Sequence, residues 1–190
     1  MNSTTIYLIR HGETDWNLER RYQGQKDIPL NATGMRQAQI AAQTLNGNSF
    51  TALYSSDLLR AVQTAQEISK KVNLPIVTNP ALREINQGVW EGQFIKDVLD
   101  SMGDKVRAVY ENPYTHRKPG GESIGEVADR MYAYLNQLAE NHYQESIIVV
   151  SHGLAIATVL CKVRNLPLET AIKNIPENTG VEIINWEKGD

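Results

Sequence analysis

Apolar positions along the chain fall into two kinds of run. The first kind is short and nearly unbroken: Ile6–Ile9, Ala52–Ser55, Leu74–Val77, Ile147–Ser151 and Gly180–Asn185. Runs of four to eight residues without strict alternation read as strands buried on both faces. The second kind recurs at helical spacing. Asn31–Gly47 carries Ala38, Ala41, Ala42 and Leu45 on one face, with Asn31 or Thr33 as a cap and Gly47 as a stop. A helix running to about Lys71 carries Leu58, Val62, Ala65, Ile68 and Val72, with Ser56 and Asp57 as capping residues. Ser123–Asn141 has the clearest stripe, through Ile124, Val127, Ala128, Met131, Leu135 and Leu138. Asp97–Tyr110 is weakly helical, and Leu154–Val163 is an apolar helix. Strands thus alternate with helices. That order predicts an α/β fold: three layers, α/β/α, around a mainly parallel central sheet. The pattern leaves the direction of the last strand open.

Between these elements the chain turns polar and rich in Gly and Pro. Gln23–Leu30 and the stretch Leu82–Gly92 read as loops. Glu111–Gly121 carries two prolines and paired glycines, and His116, Arg117 and Lys118 within it are expected to be exposed. Residues 94–121 are expected to form an excursion lying over the sheet edge and the active site. Otherwise the 190 residues predict a single domain spanning 1–190, large enough to bury a core.

Composition narrows the function. With a formal net charge of −3, the chain does not suggest a nucleic-acid or anionic-membrane partner, so any anion site must be local. The single cysteine, Cys161, lies in an apolar run and reads as a core residue. The N-terminus lacks a leader pattern and no run reaches the roughly 20 residues of a membrane span, so a cytoplasmic location is expected. There is no HExxH, no paired CxxC, no G-x-S-x-G and no G-x-x-x-x-G-K-[ST]. Metal, serine-hydrolase and nucleotide-loop chemistries therefore find no support.

What remains is a set of cations and imidazoles at element ends. Ile6–Ile9 stops at Arg10-His11-Gly12, and Ile147–Ser151 stops at His152-Gly153. Ligands bind at the carboxyl edge of open α/β sheets. Arg60 falls in the first turn of its helix, where the helix dipole favours anions, not cations. A bound anion would resolve that mismatch. Two guanidiniums with forked donors and two imidazoles match a phosphoryl group. An imidazole is also a nucleophile toward phosphorus.

At these residues the chain resembles the histidine phosphatase superfamily, the phosphoglycerate mutase-like proteins. LIRHGETDWN is similar to the family signature. YQGQKDIPLNATGMRQA, SSDLLRAVQTA, LREINQGVWEG, PGGES and VVSHG come after it in family order, from about Thr5 to Asn185. The resemblance implies roles. His11 would be the phosphorylated nucleophile. Arg10, Arg60 and His152 would clamp the phosphoryl oxygens, with Asn17, Gln23, Gly24 and Gly153 completing the phosphate-binding set. Glu84 would be the general acid, as Gly153 comes after His152 where the other branch of the superfamily carries its acidic residue. No metal or other cofactor is implied. The expected partner is a small phosphomonoester, and the expected activity is hydrolysis through a phosphohistidine, as in small bacterial broad-specificity phosphatases. Relatives with α-ribazole phosphate or phosphoserine as substrate belong to the same group. The alternatives are a 2,3-bisphosphoglycerate-dependent phosphoglycerate mutase and a non-catalytic phosphate-binding protein. The G-x-W-E-G form at Gly88–Gly92 and the short chain favour the phosphatase. Asn86, Gln87 and Ala157 depart from common family residues and leave the substrate unnamed.

Overall fold

The computed structural model describes residues 3–45 and 49–187. Its five-stranded sheet has the order β3-β2-β4-β1-β5. The strands are β1 (Ser3–Arg10), β2 (Ala52–Ser55), β3 (Ile76–Thr78), β4 (Ser146–Ser151) and β5 (Val181–Glu187). β1, β4, β2 and β3 run parallel, and β5 pairs antiparallel with β1. The open question of the last strand is thereby answered. The third strand begins two residues later than the apolar run suggested, after Pro75, which has no N–H to give a ladder.

Side chains on the two central strands alternate between two cores. Ile6 and Leu8 of β1 and Ile147 and Val149 of β4 face one cluster. Ile9, Ile148 and Val150 face the other. This explains the unbroken apolar runs: neither face meets water. Helices α2 (Ala32–Thr44) and α3 (Leu59–Val72) cover the second cluster through Ala42, Ala61, Ala65 and Ile68. Helices α5 (Ile124–Asn141) and α6 (Gly153–Val163) cover the first through Val127, Met131, Leu135, Ile156 and Leu160. Cys161 is buried in that first cluster, and so is Ala157.

Two further helices border the carboxyl edge. The short α1 (Asp15–Leu18) opens with a capping box in which the Thr14 and Asn17 side chains each bond the other's backbone. Helix α4 (Ile95–Glu111) is longer than its weak pattern suggested and kinks at Met102, whose φ of −136° is not helical. Helix α5 starts with the capping box of Ser123 and Glu126, a device that contributes about 1 kcal/mol. Asn31 caps α2 through Gly34, while Gly47, the expected stop, lies outside the described residues.

One expected cap is wrong. Leu58, not Ser56 or Asp57, is the N-cap of α3, and it supplies no side-chain bond. Asp27 caps the helix instead: its Oδ1 accepts from Leu59 N at 2.6 Å. Asp57 is drawn away to Arg83, with contacts of 2.7 and 2.5 Å. A cap supplied from 32 positions upstream carries no local sequence signal.

Candidate active site

The register of β1 and β4 pairs Arg10 with Ser151, so the chain leaves both strands side by side. His11 N donates to Ser151 O at 3.0 Å, and the His11 and His152 rings lie 5.1 Å apart. A cavity of about 220 Å³ opens here. Arg10, His11, Asn17, Gln23, Gly24, Arg60, Glu84 and Gly153 line it. Of the site residues expected from the sequence, only His152 stands behind that wall, fully buried.

His11 is held in one tautomer. Its Nδ1 lies 2.7 Å from Gly12 O, and a carbonyl only accepts, so the proton sits on Nδ1. Nε2 carries the lone pair and accepts from Arg60 Nε at 3.2 Å. Burial, then Arg60 and Arg10, hold this imidazole well below its ordinary range, which keeps it neutral.

Arg60 is fully buried and is no solvated surface cation. Its Nη1 and Nη2 donate to Lys26 O and Gly24 O, each at 2.8 Å. Burial lowers it to about 10, still charged at neutral pH. Gly24 sits at φ +56°, and a Cβ there would meet Glu91 Oε1 at 2.2 Å. Only glycine lets that carbonyl reach the guanidinium. Arg10 is anchored by Pro176 O at 2.7 Å, and its Nε makes no hydrogen bond within the protein.

His152 Nε2 lies 2.8 Å from Ser56 Oγ, while its buried Nδ1 has no partner. Gly153 comes next, with Arg10 Nε 3.4 Å from where a Cβ would stand. The tighter neighbour of that Cβ would be Ile175 Cγ2, at 3.0 Å. Asn17 spends its Oδ1 on Thr14, accepting at 3.1 and 3.0 Å, and so presents its amide nitrogen for donation.

Glu84 lines the same cavity. Its Oε1 accepts from Ile85 N at 2.9 Å and Ala155 N at 3.2 Å, and Oε2 from Leu154 N at 3.1 Å. The Glu84 carboxyl group thus sits on the N-terminus of α6. It does not pair with Arg83, which is committed to Asp57.

Several site residues escaped the sequence. Arg130 of α5 donates to Ala81 O, Arg83 O and Glu84 O at 2.8, 2.6 and 3.0 Å, and pairs with Glu122. It holds the backbone that carries Glu84. Ser56 orients His152. The available signal for Arg130 was a cation beside the apolar stripe of the strongest helix. Among the departures from common family residues, Gln87 lines the cavity, whereas Asn86 shapes the turn by accepting from Gly88 N at 2.8 Å. His116 and Arg117 are exposed as expected, but Lys118 is not: it is fully buried.

A sequence profile described as Histidine phosphatase superfamily (branch 1) matches residues 6–190. The chain belongs to this superfamily. It is 40% identical over 183 residues to a protein of Yersinia pestis named "Probable phosphoglycerate mutase GpmB", covering 96% of this chain and 85% of that one. A protein of the same name from Proteus mirabilis is 40% identical over 162 residues, 85% of this chain and 75% of its own. Among solved structures, Bacillus stearothermophilus YhfR superposes with a TM-score of 0.89 at 31% identity, over 96% and 91% of the two chains. The phosphoserine phosphatase of Entamoeba histolytica, solved with 3-phosphoglyceric acid, gives 0.85 at 30% identity over 95% and 89%. The superfamily thus brings an enzymatic activity of the phosphatase or mutase type, and its relatives take small phosphorylated compounds. Among the described residues no helix is long and apolar enough to cross a membrane, and no cluster of three His, Cys, Asp or Glu forms a candidate metal site.

Proposed function

We propose that the protein is a phosphomonoester hydrolase that works through a phosphohistidine on His11, without a metal, on small phosphorylated metabolites in the cytoplasm. One observation carries this reading. A neutral imidazole, its Nδ1–H tied to Gly12 O, points its nucleophilic Nε2 at a guanidinium 3.2 Å away and shares a cavity with Glu84.

In the first step Nε2 attacks phosphorus in line and the ester P–O bond breaks. Glu84 gives its proton to the leaving oxygen. Arg60 Nε, freed from Nε2, turns to an equatorial phosphoryl oxygen. The unpartnered Arg10 Nε and His152 Nδ1 supply further donors where negative charge develops. In the second step water attacks the phosphohistidine, Glu84 takes the water proton, and inorganic phosphate leaves. The two guanidiniums supply the charge that Mg²⁺ supplies in other phosphoryl-transfer sites. Residues 94–121 act as a cover over this site; Ile95 and Tyr110 of α4 lie on the cavity wall.

The mutase reading has its own support, the name "Probable phosphoglycerate mutase GpmB" borne by the 40%-identical relatives. The test is hydrolysis, with chelator present, of p-nitrophenyl phosphate, phosphoserine, 3-phosphoglycerate and α-ribazole phosphate. The same samples are assayed for conversion of 3- to 2-phosphoglycerate with a bisphosphate primer. Phosphate release without conversion is expected. Conversion outrunning hydrolysis would make the protein a mutase.

A further inference from the structure

Lys118, within the Glu111–Gly121 stretch, has a placement that runs against its chemistry. Its side chain is fully buried, and Nζ makes no hydrogen bond within the protein. Instead the ammonium lies among three rings: 5.1 Å from the centroid of Trp90, 5.2 Å from Tyr110 and 5.9 Å from Tyr22. Such contacts stabilise a cation, though less than a paired carboxylate does. Burial lowers Lys118 to about 8, with Glu84 opposing. The charge therefore persists at neutral pH but is incompletely compensated.

The position of this cation relative to the reaction matters more than its cost. Tyr22, Tyr110 and Glu84 all line the cavity that holds His11. The phosphoryl end of that cavity is already served by Arg10, Arg60, Asn17 and His152. Lys118 stands behind two of the lining rings, Tyr22 and Tyr110, and feels the charge of Glu84, beside which the leaving group must lie if Glu84 is to protonate it. Two further groups there have unmet hydrogen-bonding capacity, Gln87 Oε1 and Trp90 Nε1. Across two rings in a medium of low polarity, a cation still attracts an anion by more than it would in water. A neutral leaving group gains nothing from it.

We propose that Lys118, caged by Tyr22, Trp90 and Tyr110, is a specificity-determining residue that selects phosphomonoesters whose leaving group carries a second negative charge, such as a carboxylate. This inference rests on the phosphomonoesterase reading of the site and names its substrate class.

The charges facing Lys118 are few: Glu84 from the Leu82–Gly92 stretch, and the phenols of Tyr22 and Tyr110, both pushed upward by burial and so uncharged at neutral pH. The test removes the charge and keeps the stem, with Lys118→Met. Affinity is read by calorimetry on a His11→Ala background, so that turnover is not required. The probes are 3-phosphoglycerate and p-nitrophenyl phosphate. Lys118→Met should weaken 3-phosphoglycerate about tenfold and leave p-nitrophenyl phosphate within about twofold. Equal weakening of both esters, or weakening of neither, overturns the proposal. A second readout needs no variant at the cage: affinity for 3-phosphoglycerate should fall relative to p-nitrophenyl phosphate as pH rises through about 8. A ratio that stays flat across that range also overturns it. Failure of the hydrolase reading is seen separately, in the wild-type assays of phosphate release.

Discussion

The two ends of the cavity are built differently. The end proposed to hold the phosphoryl group is assembled at the termini of regular elements: Arg10 ends β1 and His11 follows it, His152 follows β4, and Arg60 lies in the first turn of α3. Each is fixed by backbone or by a buried hydroxyl. The end proposed to take the leaving group is assembled from loop and cover: Tyr22, Glu84, Gln87, Trp90, Tyr110 and Lys118, with Glu84 alone tied to the start of a core helix. Core strands and their helices are the least deformable parts of a fold, so they carry the chemistry that must be placed to a fraction of an ångström. Loops tolerate change, which suits them to residues that distinguish one substrate from another, the role proposed for Lys118.

The sharpest way to break this comparison is His11→Ala. Turnover and phosphoenzyme labelling should both vanish while the far-ultraviolet dichroism stays native. A folded variant with full activity would remove His11 from the mechanism. Next in size is Glu84→Gln, expected to lower kcat/KM, which reports phosphoryl transfer to His11 and not the later hydrolysis, by roughly 10²–10⁴ for alkyl phosphates. The loss in kcat/KM should be much smaller for p-nitrophenyl phosphate, whose leaving phenolate needs no proton. An equal loss on both would make Glu84 a binding group and not an acid.

Arg130→Met probes how far the leaving-group end depends on its support. Loss of three contacts to the Ala81–Glu84 backbone should lower kcat for alkyl phosphates about tenfold. The affinity for inorganic phosphate, a ligand of the other end, should hold. The smallest effect concerns stability. His11 and His152 are both held well below 6.5 by burial and by the neighbouring guanidiniums. An imidazole with a depressed native pKa stays neutral while the unfolded chain takes up a proton. Stability should therefore fall as pH drops below about 6.5, with a slope of up to about 1.4 kcal/mol per pH unit for each histidine. His152→Asn should reduce that slope by one proton, measured by urea unfolding between about pH 7 and 5.

Much of the phosphoryl end is legible in the chain because strand ends are legible. Ile6–Ile9 and Ile147–Ser151 announce two core strands, and the residues just beyond them must sit at the sheet edge. Arg60 was legible by its conflict with the helix dipole. The supports were not legible, because they depend on distant partners: Arg130 reaches Glu84 O across 46 positions, and Asp27 caps α3 across 32. Asp57 read as a cap because capping chemistry is local, yet Arg83, 26 positions away, competes for it.

By itself, then, the sequence determined the order of elements, the two-faced burial of the central strands and the side chains at their ends. Those come from periodicity and from the rule that apolar runs leave water. The tertiary structure alone decided the antiparallel direction of β5, the capping of α3 by Asp27, the clamp of Arg130 on the Glu84 backbone, and the burial of Lys118. A lysine beside prolines and glycines reads as solvated. It is buried because Tyr22, Trp90 and Tyr110, spread along the chain, close around it, and no local pattern encodes three rings meeting at one ammonium.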